Sequence, residues 1–76
     1  PMSVWEQFVS IHAVTSGAFD DVPVAKIKEA QATLLTQLWK NSKDAMRELN
    51  KGAKPTDEQL HIIDEATQAA AKGFGA

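Results

Sequence analysis

The 76-residue chain has no cysteine, so disulfide staples and thiolate metal sites are excluded, and a reducing compartment is permitted. It also lacks any long hydrophobic run: the longest are a few residues, far below the roughly 18 to 20 needed to cross a bilayer. An excess of positive charge is missing too. The formal net charge is −2, the isoelectric point is near 5.5, and the eight basic residues are scattered among ten acids. Phosphate binding needs clustered Lys and Arg, so this balance gives no reason to expect a nucleic-acid partner. Pro1-Met2-Ser3 lacks the basic and apolar regions of a signal peptide, and a proline ahead of a methionine leads us to expect the cut end of an excised fragment.

What is present is an ordinary globular balance, with 43% apolar and 24% charged residues. The length allows one domain at most, and a chain this short buries only about 60% of the surface its unfolded form exposes. Its own core is therefore expected to be marginal.

The apolar spacing is helical throughout, with no strand signal and no internal repeat. Ser3-Val4-Trp5-Glu6 has the S-x-x-E form of a capping box and predicts a helix from about Val4. Val4, Phe8 and Ile11 form one stripe of that helix and Trp5, Val9 and His12 the adjoining one, giving a wide apolar face. Gly17 supplies a natural residue to end it. Pro23 suits the first turn of a second helix, with Asp20 and Asp21 just ahead of it as helix-start charges; Val24, Ile27, Gln31, Leu34, Leu35, Leu38 and Trp39 then follow at helical spacing to about Asn41. Asn41-Ser42 interrupts the pattern. Ala45, Met46 and Leu49 predict a short third helix that ends at Asn50-Lys51-Gly52. Lys54-Pro55 is a further break. Thr56-Asp57-Glu58-Gln59 is a second capping box, opening a helix from Asp57 to about Lys72 whose apolar line is Leu60, Ile63, Ala66 or Thr67, Ala70 and Phe74. The expected fold is all-α, an irregular or orthogonal bundle of three longer helices and one short one.

Candidate chemistry is sparse. His12 and His61 stand 49 positions apart in no HExxH or comparable spacing, which favours packing or capping roles over metal ligation. Asp20-Asp21 lacks the alternating oxygen ligands of a calcium loop, since Pro23 and Ala25 occupy those positions. Glu29, Asp44, Glu48, Asp64 and Glu65 sit among polar neighbours on expected helices, as on a solvated face. Ser3, Ser10, Ser16 and Ser42 lie in no G-x-S-x-G elbow, and no GxxxxGKS or GxGxxG phosphate loop is present. Catalytic, cofactor-binding and metal residues are accordingly all expected to be none. Trp5 and Trp39 suit either a core or an interface, because aromatics anchor both.

Taken together, PMSVWEQFVSIHAVTSGAFDDVPVAKIKEAQATLL resembles the C-terminal helical region of the alpha subunits of F-type ATP synthases. That family reads P-L-S-V-x-x-Q, then an apolar helix, G-x-L-D-D-I-P-V and a helix with F-x-x-x-L-L. The matching residues are Pro1, Ser3-Val4, Gln7, Gly17, Asp20-Asp21, Pro23-Val24 and Leu34-Leu35. Met46 to Asn50 is similar to the family's next short helix, and Pro55-Thr56-Asp57-Glu58 to its final helix start. The D-D-V-P-V segment is the most specific part. Ala18, Phe19, Trp5 and Ala30 depart from the usual residues at what look like packing positions.

The resemblance implies that residues 1–76 are a partial domain, with the phosphate loop and the arginine that reaches the catalytic site lying upstream. The parent complex would make ATP from ADP and phosphate while translocating protons. This piece would be a non-catalytic assembly module of its head, binding no cofactor itself, with the beta and gamma subunits as partners and the cytoplasmic face of the membrane as its place. Stripped of the upstream helices, the isolated protein would expose apolar faces and would self-associate or be only weakly stable. The residues alone also admit a free-standing adaptor that grips a partner helix in an apolar groove lined by Trp5, Phe8, Leu38 and Trp39.

Overall fold

A computed structural model describes residues 2–52 and 54–75. Four α-helices follow one another: α1 (Val4–Thr15), α2 (Ile27–Asn41), α3 (Lys43–Leu49) and α4 (Asp57–Gly73), with a 3-10 turn at Val24–Lys26 before α2. No strand occurs among the described residues. The architecture is all-α, with the three longer helices and one short helix that the spacing predicts. Helix α2 is central, touching α1, α3 and α4, and its contact with α4 is the most extensive.

The core follows i, i+4 rows, as stacked helical faces require. Trp5, Val9 and Ala13 from α1 meet Ala30, Leu34 and Leu38 from α2, with Met46 and Leu49 from α3 and Ile63, Ala70 and Ala71 from α4. Thr67 is the buried polar residue of this set; its hydroxyl donates to the Ile63 carbonyl at 2.6 Å, so its burial leaves no unpaired donor. On α4, Leu60, Ala66 and Phe74 of the expected apolar line are only half-buried.

Helix α1 corrects one expectation. Its two apolar stripes do not both face inward: Trp5 and Val9 are buried, His12 and Phe8 are half-buried, and Val4 and Ile11 point outward, Ile11 with 64% of its surface exposed. A core this small accepts one face of a helix, and the face carrying the large indole removes the most apolar area from water.

The corner between α1 and α2 supplies a second correction. Gly17 takes the left-handed conformation, φ +84°, that ends α1, and its N–H donates to the Val14 carbonyl at 3.2 Å. Phe19 and Val22 then turn inward and are nearly fully buried, so the corner is anchored by apolar side chains. Pro23 precedes a 3-10 turn rather than an α-turn, with Lys26 N–H donating to its carbonyl at 2.8 Å, and α2 proper starts only at Ile27. Val24, expected on the apolar line, is 87% exposed. Asp20 and Asp21 are exposed and cap neither the 3-10 turn nor α2 through a side chain. They stand six or more positions before Ile27, beyond the one-turn reach of the α2 dipole.

The remaining punctuation holds. Ser42, at φ −139° and ψ 40°, breaks α2 from α3, and Gly52 at φ +84° follows the end of α3. Thr56 and Gln59 form a fully reciprocal capping box, the Gln59 N–H donating to Thr56 Oγ1 at 3.1 Å and the Thr56 N–H to Gln59 Oε1 at 2.9 Å. At the start of α1 the Glu6 carboxylate accepts from both the N–H and the hydroxyl of Ser3, at 2.9 and 2.6 Å. The Trp5 N–H, another donor without a partner inside the helix, meets Asn50 Oδ1 at 3.3 Å. Three of the four departures from the family pattern, Trp5, Phe19 and Ala30, are core positions, and Ala18 packs at its edge.

Candidate interaction surface

Among the described residues, titratable side chains meet in pairs. His12 on α1 lies with Nε2 2.9 Å from Asp64 Oδ1 on α4, its ring stacked on Phe8 at 5.6 Å between centroids. His61 pairs with Glu65 one turn along α4 at 2.7 Å, in an exposed position. The two histidines do not meet. Among the described residues, no group of three or more His, Asp or Glu side chains is placed to hold a metal ion. His12 packs against Phe8 and ties α1 to α4, whereas His61 stays exposed and pairs along its own helix.

The fold changes the acidity of Glu6. The hydrogen bond from the Ser3 hydroxyl, then that from the Ser3 N–H, holds its carboxyl below the usual carboxylate value. This is the electrostatics of a helix cap.

The surface with the most distinctive chemistry lies where α1, α2 and α3 meet. Trp5 and Trp39 stack with centroids 5.6 Å apart and planes 13° from parallel. Trp5 is buried, whereas Trp39 keeps 38% of its surface exposed. Lys43 Nζ stands 5.3 Å and the Arg47 guanidinium 5.8 Å from the Trp39 ring centre, within cation–π range. Beside the stacked pair opens a cleft of about 480 Å³ lined by Trp5, Trp39, Leu35, Thr36, Lys40 and Glu6. The structure thus splits the two tryptophans between core and interface: Trp5 is core, and Trp39 is surface resting on core.

The groove expected from Trp5, Phe8, Leu38 and Trp39 does not form. Leu38 is buried and Phe8 is taken up by His12, so neither lines the cleft. Lys43 and Arg47 are absent from the candidates that the sequence suggests. Their four-residue spacing from Trp39 is a legible signal, obscured because the helix break at Ser42 falls between them and the indole. The basic residues are less scattered than their number suggests: residues 40–54 hold five of the eight, with only two of the ten acids.

Two further surfaces lack comparable chemistry; the first mixes apolar side chains with Thr33, Gln37, Asn41, Ser42 and Glu65, and the second is apolar. A groove of about 550 Å³ runs between α2 and α4 over Leu38, Ala66 and Ala70, and the outward stripe of Val4, Ile11 and Val14 follows α1. Among the described residues, no helix is long and apolar enough to cross a membrane.

Against known proteins, residues 1–70 match the family described as ATP synthase alpha/beta chain, C terminal domain. The protein is similar to the ATP synthase subunit alpha of Streptomyces lividans, 38% identical over 74 residues that make up 97% of this sequence and 14% of that protein. The subunit alpha of Nocardia farcinica is 35% identical over 74 residues, with the same shares of each sequence. That of Mycobacterium leprae is 32% identical over 76 residues, covering all of this sequence and 14% of its own. The 76 residues therefore span about 14% of the length of the curated relatives they match. No solved structure matches them.

Proposed function

Since the protein belongs to the family of C-terminal domains of ATP synthase alpha and beta subunits, we propose that it is a non-catalytic assembly module of the head of a proton-translocating F-type ATP synthase. The observation that carries this reading is the match over residues 1–70 together with relatives all described as ATP synthase subunit alpha. In this role the module binds no cofactor; nucleotide and Mg²⁺ belong to the rest of the alpha subunit. Its partners are the beta and gamma subunits, and its place is the head on the cytoplasmic face of the membrane. The pairwise engagement of His12 with Asp64 and His61 with Glu65 supports a structural role, because these side chains serve helix packing and pairing.

The genomic reading frame tests it. A phosphate loop of the form GxxxxGK(S/T) upstream in one continuous frame supports the reading, and a frame that encodes these 76 residues alone overturns it. Titration of the isolated module with Mg-ATP is expected to give no binding, and saturable micromolar binding contradicts the cofactor assignment.

The outward stripe of α1 supports the related expectation that the isolated module self-associates, since Val4, Ile11 and Val14 leave an apolar face uncovered. Light scattering is expected to show mass rising with concentration, and Ile11→Lys to suppress the rise. A monomer with a sharp, high thermal transition contradicts it.

A further inference from the structure

We propose that the Trp39–Lys43–Arg47 shelf is a docking site for an acidic segment of a partner protein, with an apolar side chain of that segment entering the Trp5–Trp39 cleft. The charge distribution points to the sign of the partner. A protein of net charge −2 gathers five of its eight basic residues in positions 40–54, and three of these, Lys40, Lys43 and Arg47, border the cleft or the exposed indole. Asp44 is the acid beside them. It forms a fully solvated ion pair with Arg47 at 4.0 Å, which is worth little in water and leaves the guanidinium open to a partner, while Glu48 is engaged with Lys51 at 3.1 Å, away from the indole. Glu6, which also lines the cleft, is tied to Ser3 and turned to capping α1.

The geometry suits an interface anchor. Trp and Arg are the side chains most enriched at the energetic centres of protein interfaces, and a rigid aromatic there loses little entropy on binding. Trp39 is already held flat by the buried Trp5 at 5.6 Å, so its orientation is fixed before a partner arrives. Lys43 and Arg47 lie over the ring with their charged ends largely in solvent, Arg47 with 62% of its side chain exposed. Carboxylates approaching from solvent meet both cations without displacing the indole. The cleft of about 480 Å³ alongside has room for a leucine or phenylalanine side chain.

The inference does not depend on the assembly reading above, since it rests on this surface alone. The protein has two tryptophans and no tyrosine, and both tryptophans lie in the stack, so intrinsic fluorescence reports directly on the site. The probe is a synthetic amphipathic helix-forming peptide with glutamates and leucines at three- and four-residue spacing; the control carries lysine at every glutamate position. The expected result is a saturable fluorescence change with the acidic peptide only, weakened by salt. Lys43→Gln combined with Arg47→Gln is expected to weaken binding about tenfold or more, with helicity by circular dichroism unchanged. Equal response to both peptides, no saturable response, or undiminished binding by the folded double variant overturns the proposal. So does a stronger response to phosphatidylglycerol vesicles than to the acidic peptide, which would make the shelf a membrane contact. A fluorescence change that follows protein concentration without peptide would assign the shelf to a second copy of the protein and equally overturn it.

Discussion

His12 and Asp64 are 52 positions apart in sequence and 2.9 Å apart in space, which makes them the polar tie between the first helix and the last. The tie is partly solvated, with about a quarter of the His12 side chain and half of Asp64 exposed. Pairs of this kind are worth little individually, about 0.2–1 kcal/mol. Asp64→Ala is expected to lower the unfolding free energy by about 0.5–1 kcal/mol in urea denaturation. His12→Ala should cost more, because it also removes the ring stacked on Phe8. A double-mutant cycle separates the two effects, and a coupling energy indistinguishable from zero would show the contact to be energetically idle.

Gly17 and Gly52 both sit at φ +84°, a conformation that costs most L-residues about 1–2 kcal/mol through their Cβ. A Cβ at Gly17 would meet Asp20 Oδ2 at 3.2 Å, whereas one at Gly52 meets open space. Asp20 is exposed, so its carboxylate can swing away. Gly17→Ala and Gly52→Ala are therefore expected to destabilise by nearly equal amounts, about 1–2 kcal/mol each, measured by thermal or urea unfolding. A loss at Gly17 several times that at Gly52 would mean that Asp20 is held in place.

The Glu6 carboxyl is held below its usual pKa by its bonds from Ser3. A depressed carboxylate stabilises the fold above its unfolded-state pKa of about 4.3, and that contribution is lost as pH falls through the lowered folded value. Ser3→Ala removes the hydroxyl donor, so the Glu6 pKa should rise toward normal, and the difference in stability between variant and parent should shrink below about pH 4. Carboxyl NMR titration reads the first effect and urea unfolding at several pH values the second. A Glu6 pKa unmoved by the substitution would show that the cap is not its cause.

Ser10 buries its hydroxyl oxygen without a hydrogen-bond partner. Desolvating such a group costs about 1–3 kcal/mol, and removing it relieves that cost while leaving a methyl suited to a helix interior. Ser10→Ala is expected to raise stability by about 1 kcal/mol, seen as a higher urea midpoint with an unchanged slope. A destabilised variant would reveal a partner for the hydroxyl in solution.

Helix existence was legible in the residues because its signals are local. Capping boxes at Ser3 and Thr56, Gly17 at a left-handed terminus and the i, i+4 rows of Leu34 and Leu38 each act within one or two turns of their own segment. Family membership was equally a property of the string, carried most specifically by the D-D-V-P-V segment and confirmed by the match over residues 1–70. Which of two apolar stripes turns inward is not local. The α1 sequence permits either, and only packing against α2 and α4 chose Trp5, Val9 and Ala13 over Val4 and Ile11. The same holds at the corner: Asp20 and Asp21 draw attention in the sequence as charges, yet burial of Phe19 and Val22 fixes the turn, because removing apolar area from water outweighs a weak, screened helix-end interaction. The Trp39 shelf is assembled at the tertiary level. Its cations are spaced regularly in sequence, but a helix break and the arrival of Trp5 from another helix were needed to bring an exposed indole, a buried one and two positive charges to one surface.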